Sequence, residues 1–324
     1  MIGGALITPT HIIKKVLSLM IFTHLLSTNL RLVHSFQFQQ HQRVLLSSSS
    51  SFIINRNGIL KKMSSSAETE EADYNDIILN LKEVQTRINN QIQKSNREEN
   101  DVRLVAVSKT KPIDMIKVAY TKASQRHFGE NYVQELISKA TQLKDEENGT
   151  YNDIQWHYIG PLQSNKAANL VKSTYPNLYV IETVSTIKIA TKLNRAMEDI
   201  VGGKDDDDKN EKLNIFIQIN TSNEESKSGL SSTNKEEIYN FIKEIQSSCS
   251  YLNVLGLMTI GYAGSTDDFK ILNDIKDYLV KDKGVESIKE LSMGMSNDFE
   301  DAIEYGSTNI RVGSTIFGAR DYSN

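Results

Sequence analysis

Leu104-Val105-Ala106-Val107-Ser108-Lys109-Thr110-Lys111-Pro112 joins an apolar run to a turn that contains no glycine. The first four residues read as a buried β-strand. A dinucleotide-binding sheet follows its first strand with a Gly-rich turn, and the Ser-Lys-Thr-Lys-Pro turn here argues against that architecture. Downstream, β-rich runs recur at Arg126 to Gly129, Trp156 to Gly160, Leu178 to Glu182, Leu213 to Asn220, Val254 to Ile260, Ile288 to Gly294 and Asn309 to Phe317. With Val102 to Ser108 they make eight. Between them lie stretches of helical spacing, among them Ile113 to Ala123, Tyr132 to Leu143, Thr186 to Met197, Glu236 to Ser247 and Phe269 to Val280. Strand followed by helix, repeated, implies a parallel sheet. Eight such units over roughly 250 residues is the size of a single closed (β/α)8 barrel of the TIM type. Ahead of it, Ile77, Ile78, Leu81, Val84, Ile88 and Ile92 predict an amphipathic helix.

Barrels of this kind place reacting side chains at the C-terminal ends of their strands. Lys109 leaves the first strand at such an end, where partial desolvation disfavours the ammonium form and a neutral amine can attack an aldehyde. Lys111, a second cation two residues on, pushes the same way. Loops after the seventh and eighth strands often hold a phosphate in this architecture. Gly294-Met295-Ser296-Asn297-Asp298 supplies glycine and a serine placed to cap the next helix, and Gly313-Ser314 supplies small residues just behind Arg311. A lysine facing a phosphate cradle suits pyridoxal 5'-phosphate (PLP), which is held covalently at one end and as an anion at the other.

The 324-residue chain carries a net charge of −4, which gives none of the basic field that nucleic-acid binders use. Cys249 is its one cysteine, so no intrachain disulfide can form. No Asp or Glu precedes Glu68, while Lys14, Lys15, Arg31, Arg43, Arg56, Lys61 and Lys62 do. Residues 1–72 therefore read as a targeting segment or a disordered extension, with import into a plastid or mitochondrion as the leading destination. Its apolar run Val16 to Leu26 is shorter than the roughly 20 residues a membrane helix needs, so no membrane association is expected of the mature form. Met63 offers a second start, which would yield a cytoplasmic form. Residues 73–324 read as the barrel, with a charged insert at 201–212 whose four aspartates repel one another and stay solvated. No metal site is expected there.

Residues from about 102 to 323 resemble the pyridoxal phosphate homeostasis protein family, whose fold is that of the alanine racemase barrel domain. The resemblance rests on Ala106-Val107-Ser108-Lys109-Thr110-Lys111-Pro112, Phe128-Gly129-Glu130-Asn131-Tyr132-Val133-Gln134-Glu135 and Trp156-His157-Tyr158-Ile159-Gly160-Pro161-Leu162-Gln163-Ser164-Asn165-Lys166. It continues in Ser226-Lys227-Ser228-Gly229, Gly256-Leu257-Met258, Leu291-Ser292-Met293-Gly294-Met295-Ser296 and Arg311-Val312-Gly313-Ser314-Thr315-Ile316-Phe317-Gly318-Ala319-Arg320. It implies that Lys109 holds PLP as a Schiff base, that Arg311 faces the pyridine nitrogen, and that Ser296, Gly313 and Ser314 hold the phosphate. Asn131, His157 and Met258 are expected to line the same mouth. Position 314 is Ser where many relatives carry Thr, and both offer a hydroxyl and an N–H.

An arginine does not give up its proton, so the ring it faces is a poor electron sink and transaminase chemistry is disfavoured. Alanine racemases add a β-rich domain that supplies a second base, and only a few residues follow the eighth strand here. The reading is thus a carrier in intracellular PLP homeostasis more than a catalyst, with PLP-dependent apoenzymes as the partners that role implies. The alternative is a racemase or lyase acting on a small amino acid, with Lys109 or His157 as base. Monomer and homodimer both stay open.

Overall fold

The computed structural model describes residues 66–98, 101–146, 149–202, 211–262 and 264–319, with side chains from residue 75 onward. The chain divides into Met1–Glu68 and a second compact unit, Thr69–Asn324, which holds the barrel. The expected targeting segment lies outside the described residues except at its last positions, as does most of the charged insert, including its aspartates.

Eight parallel strands close into a barrel. They are β1 (Arg103–Val107), β2 (His127–Glu130), β3 (Gln155–Tyr158), β4 (Leu178–Val184), β5 (Leu213–Asn220), β7 (Leu252–Met258), β8 (Glu290–Met295) and β9 (Asn309–Val312), with a two-residue β6 (Leu230–Ser231) paired to β5 outside the ring. Hydrogen bonding runs β4-β3-β2-β1-β9-β8-β7-β5, and pairing of β4 with β5 completes the circle. The expectation of a (β/α)8 barrel holds.

The helices are α1 (Ser66–Lys94), α2 (Ile113–Ala123), α3 (Val133–Lys144), α4 (Ala167–Thr174), α5 (Ile187–Val201), α6 (Lys235–Ser248), α7 (Asp267–Asp277), α8 (Phe299–Glu304) and α9 (Ser314–Phe317). One boundary differs from the sequence reading in a way that matters. The β-rich run Asn309 to Phe317 predicts a strand that reaches Phe317. It ends at Val312 instead: the amides of Ile316 and Phe317 both bond back to the Gly313 carbonyl, at 3.0 and 2.9 Å, and so close a helical turn.

Strand alternation sorts the core. Leu104 and Ala106 join the large apolar layer between sheet and helices, while Val105 faces inward. A Cβ on Gly129 would lie 3.0 Å from Val105 Cγ1 and 3.1 Å from Ile159 Cδ1, so that layer of the barrel interior has space for a glycine. Helix α1 buries Ile77, Leu81, Val84, Ile88 and Ile92 against the same apolar layer, each contributing roughly 1.5–3 kcal/mol before ordering costs. It is tied at Arg87 Nε, which donates to Glu300 Oε1 at 2.6 Å, and at Asn80 Nδ2, which donates to the Ile316 carbonyl at 3.1 Å. Among the described residues, no helix is long and apolar enough to cross a membrane.

Candidate functional site

A cleft of about 520 Å³ opens at the C-terminal end of the barrel. Lys109, Arg311, Ser296, Gly313 and Ser314 all line it, together with Lys111, Val107, Ile159 and Asp298. Lys109 enters from the turn after β1, Arg311 from the inner face of β9, and the other predicted residues from the loops after β8 and β9. The structure thus brings Lys109 together with four residues that lie about 190 to 205 positions further along the chain.

The two loops of the expected phosphate cradle are joined to each other. Ser296 Oγ accepts the Gly313 amide at 3.3 Å. This corrects the expectation that Ser296 caps the helix after β8: Asp298 occupies the cap position of α8, and its Oδ1 accepts the Met295 amide at 2.6 Å. Gly294, at φ +92°, is required there, since a Cβ would stand 2.5 Å from Ala302 Cβ. Gly313 packs against β1, its missing Cβ only 3.2 Å from the Val107 carbonyl oxygen. The cleft therefore offers an amine, a serine hydroxyl, small backbone and a cation around one space. An elongated molecule with an aldehyde at one end and a phosphate at the other matches that set.

Arg311 is 5% exposed. Its Nη2 donates to the Thr259 carbonyl at 2.7 Å and its Nη1 to Ser292 Oγ at 2.5 Å. Ser292 Oγ in turn donates to Glu182 Oε2 at 2.5 Å, and Glu182 Oε1 lies 2.7 Å from His157 Nδ1. His157 Nε2 is 3.0 Å from His127 Nδ1. Ionised Glu182 can only accept, so His157 carries its proton on Nδ1, and its Nε2 accepts from His127. Donors thus converge on Glu182 from both sides.

Charge follows geometry. Burial pushes the Glu182 carboxyl up, but hydrogen bonds from His157 and Ser292 and the charge of Arg311 outweigh it and hold the pKa below the usual carboxylate value. Burial draws the Arg311 guanidinium below its ordinary value, opposed by Glu182 and Asp298, and it stays cationic. His157 is lowered by burial against the pull of Glu182. His127 is pulled down to about 3 by burial, by His157 and by Arg103.

Three predicted residues stand elsewhere. His157 is fully buried within this chain of bonds and does not line the cleft. Met258, 1% exposed, packs with Val180 and Phe216 inside the barrel. Asn131 follows β2, where its backbone comes so close to Gly160 that a Cβ there would collide with it. What the sequence reading missed is the support behind Arg311: Ser292, Glu182 and His127. Glu182 carried a usable signal, a lone charge within the apolar strand Leu178–Val184, because charges inside a sheet are almost always paired.

No family model matches the chain. It is similar to the human pyridoxal phosphate homeostasis protein, with 44% identity over 228 residues covering 68% of this chain and 78% of that one. A solved structure of PipY from Synechococcus elongatus, with PLP bound, matches at 29% identity and a TM-score of 0.56, covering 72% of this chain and all of that one. An alanine racemase from Clostridium difficile shares the fold at 16% identity and a TM-score of 0.53, over 72% of this chain and 59% of its own.

Proposed function

The chain belongs to the pyridoxal phosphate homeostasis protein family, and from that premise we propose that it holds PLP on Lys109 and serves intracellular PLP homeostasis. The observation that carries this reading is the convergence of Lys109, Arg311, Ser296, Gly313 and Ser314 on one cleft. When bound, the cofactor supplies an aldehyde that condenses with an amine, releasing water, and a ring able to accept electron density.

The chain's own residues do the rest. Lys109 Nζ makes the covalent bond. The Ser296 and Ser314 hydroxyls, with the Ser314 amide, would hold the phosphate, and the Gly313 amide fixes Ser296 Oγ in place. Arg311 keeps its proton and would donate to the ring nitrogen, so the ring would be only weakly electron-withdrawing. Such a site retains its cofactor without driving amino-acid chemistry. The competing assignment, a racemase or lyase with His157 as base, loses support because both ring nitrogens of His157 are engaged away from the cleft.

Residues 73–324 form the cofactor-binding barrel in this reading, residues 1–72 direct it to a plastid or mitochondrion, and PLP-dependent apoenzymes receive the cofactor from it. Incubating the PLP-loaded protein with amino acids in D2O tests the carrier assignment. A carrier leaves their α-hydrogens unexchanged, and steady exchange or turnover overturns it.

A further inference from the structure

Lys109 stands between two residues held from outside the barrel. Lys139, on α3, donates from Nζ to the Ser108 carbonyl at 2.8 Å, to Glu130 Oε1 at 2.7 Å and to Glu135 Oε1 at 2.7 Å. Those bonds use the full donor capacity of an ammonium group. Ser108 Oγ donates to the same Glu130 oxygen at 2.6 Å, and the Thr110 amide donates to Glu135 Oε1 at 2.6 Å. Both neighbours of Lys109 are therefore bonded to one cluster.

The cluster is costly to build, which argues that it serves more than the packing of a turn. The Lys139 side chain is 8% exposed and that of Glu130 fully buried, and charges at such sites lose their hydration. Glu130 Oε2 is buried without a hydrogen-bond partner. Thr110 adopts φ +61°, a region that β-branched residues avoid, and its amide bond to Glu135 holds it there. With Ser108 bound outward and Thr110 turned into that conformation, the residue between them projects into the cleft.

We propose that Lys139, Glu130 and Glu135 form a positioning cluster that aims Lys109 at the aldehyde carbon of its ligand. The inference rests on Lys109 being the attachment point. In the step it serves, the Lys109 nitrogen adds to that carbon, a C=N bond forms, and the aldehyde oxygen leaves as water with the two amine protons.

The test compares Glu135→Gln, Lys139→Met and Lys139→Arg in the full chain. PLP trapped on Lys109 by borohydride reports the covalent bond. Binding of pyridoxine 5'-phosphate, an alcohol that cannot form it, reports the cleft. Labelling of Lys109 by an amine-acylating reagent, without any cofactor, reports the aim of the side chain. The expected result for Glu135→Gln and Lys139→Met is about tenfold weaker covalent uptake of PLP, equal to about 1.4 kcal/mol, with altered acylation and unchanged pyridoxine 5'-phosphate binding. Lys139→Arg should recover much of the loss. Covalent uptake equal to that of the parent protein, or equal weakening for both ligands, overturns the proposal. If Lys139→Met does not fold, Glu135→Gln decides alone, because Glu135 is the more exposed carboxylate. A parent protein that traps no PLP on Lys109 contradicts the functional reading instead, and the cofactor-free labelling then still judges the cluster.

Discussion

Ser292 stands between Arg311 and Glu182, accepting from Nη1 and donating to Oε2 at 2.5 Å each, so the cation facing the cleft is tied to its buried counter-charge through one hydroxyl. Removing that hydroxyl leaves a buried guanidinium nitrogen and a buried carboxylate oxygen each short of a partner. Ser292→Ala should therefore cost about 1–3 kcal/mol of stability by denaturant titration. It should also weaken PLP binding, since Arg311 then keeps, among the described residues, the Thr259 carbonyl as its hydrogen-bond acceptor. An unchanged midpoint and unchanged affinity would show that the link carries neither.

Glu182 is the more sensitive position, because it accepts from both directions. Glu182→Ala strands a buried cation and should destabilise by about 3–5 kcal/mol. Glu182→Gln keeps the shape but offers an N–H where Ser292 or His157 already donates, and should fall between the parent and the alanine variant. Equal stability of all three in chemical denaturation would refute the assignment.

The pH dependence has a definite sign. His127 has a folded pKa of about 3 and an ordinary value near 6.5 when unfolded. Between those values the unfolded chain binds the proton and the folded chain does not, so stability falls as pH drops through this window, by up to about 1.4 kcal/mol per pH unit. Glu182, whose pKa is depressed, adds a loss in the same direction further down, below its unfolded value. His157, lowered by burial as well, adds a slope of the same sign, so His127→Gln should make the curve shallower between pH 6.5 and 4 in urea titrations, and an identical slope would show that His127 does not report on folding.

The cradle can be separated from the lysine. Ser296→Ala removes the hydroxyl that accepts the Gly313 amide. Affinity for PLP should fall by about 0.5–1.5 kcal/mol, while pyridoxal, which lacks the phosphate, should bind as before. Equal losses for both ligands would place Ser296 outside the phosphate site.

The architecture was legible because parallel strands buried on both faces leave apolar runs in the sequence at regular intervals, and the functional ends of such strands are set by the fold. Lys109, Arg311 and the glycine-serine loops followed from that rule. The residues behind them did not. Glu182 pairs with Ser292 across 110 positions and Lys139 reaches Ser108 across 31, and no local pattern encodes which inward or outward polar side chains will meet. His157 shows the converse: a histidine near a strand end suits either a ligand contact or a brace for its strand, and here strand alternation turns it into the barrel against Glu182.

Everything functional rests on covalent attachment at Lys109, and the absorption spectrum of the barrel with added PLP, before and after borohydride, tests it most directly beside Lys109→Ala. The parent protein should show an imine band that borohydride abolishes, leaving the cofactor fixed to the peptide containing Lys109, and the variant should show no such band. A parent protein that takes up no PLP, or a Lys109→Ala variant that retains the band, would contradict it.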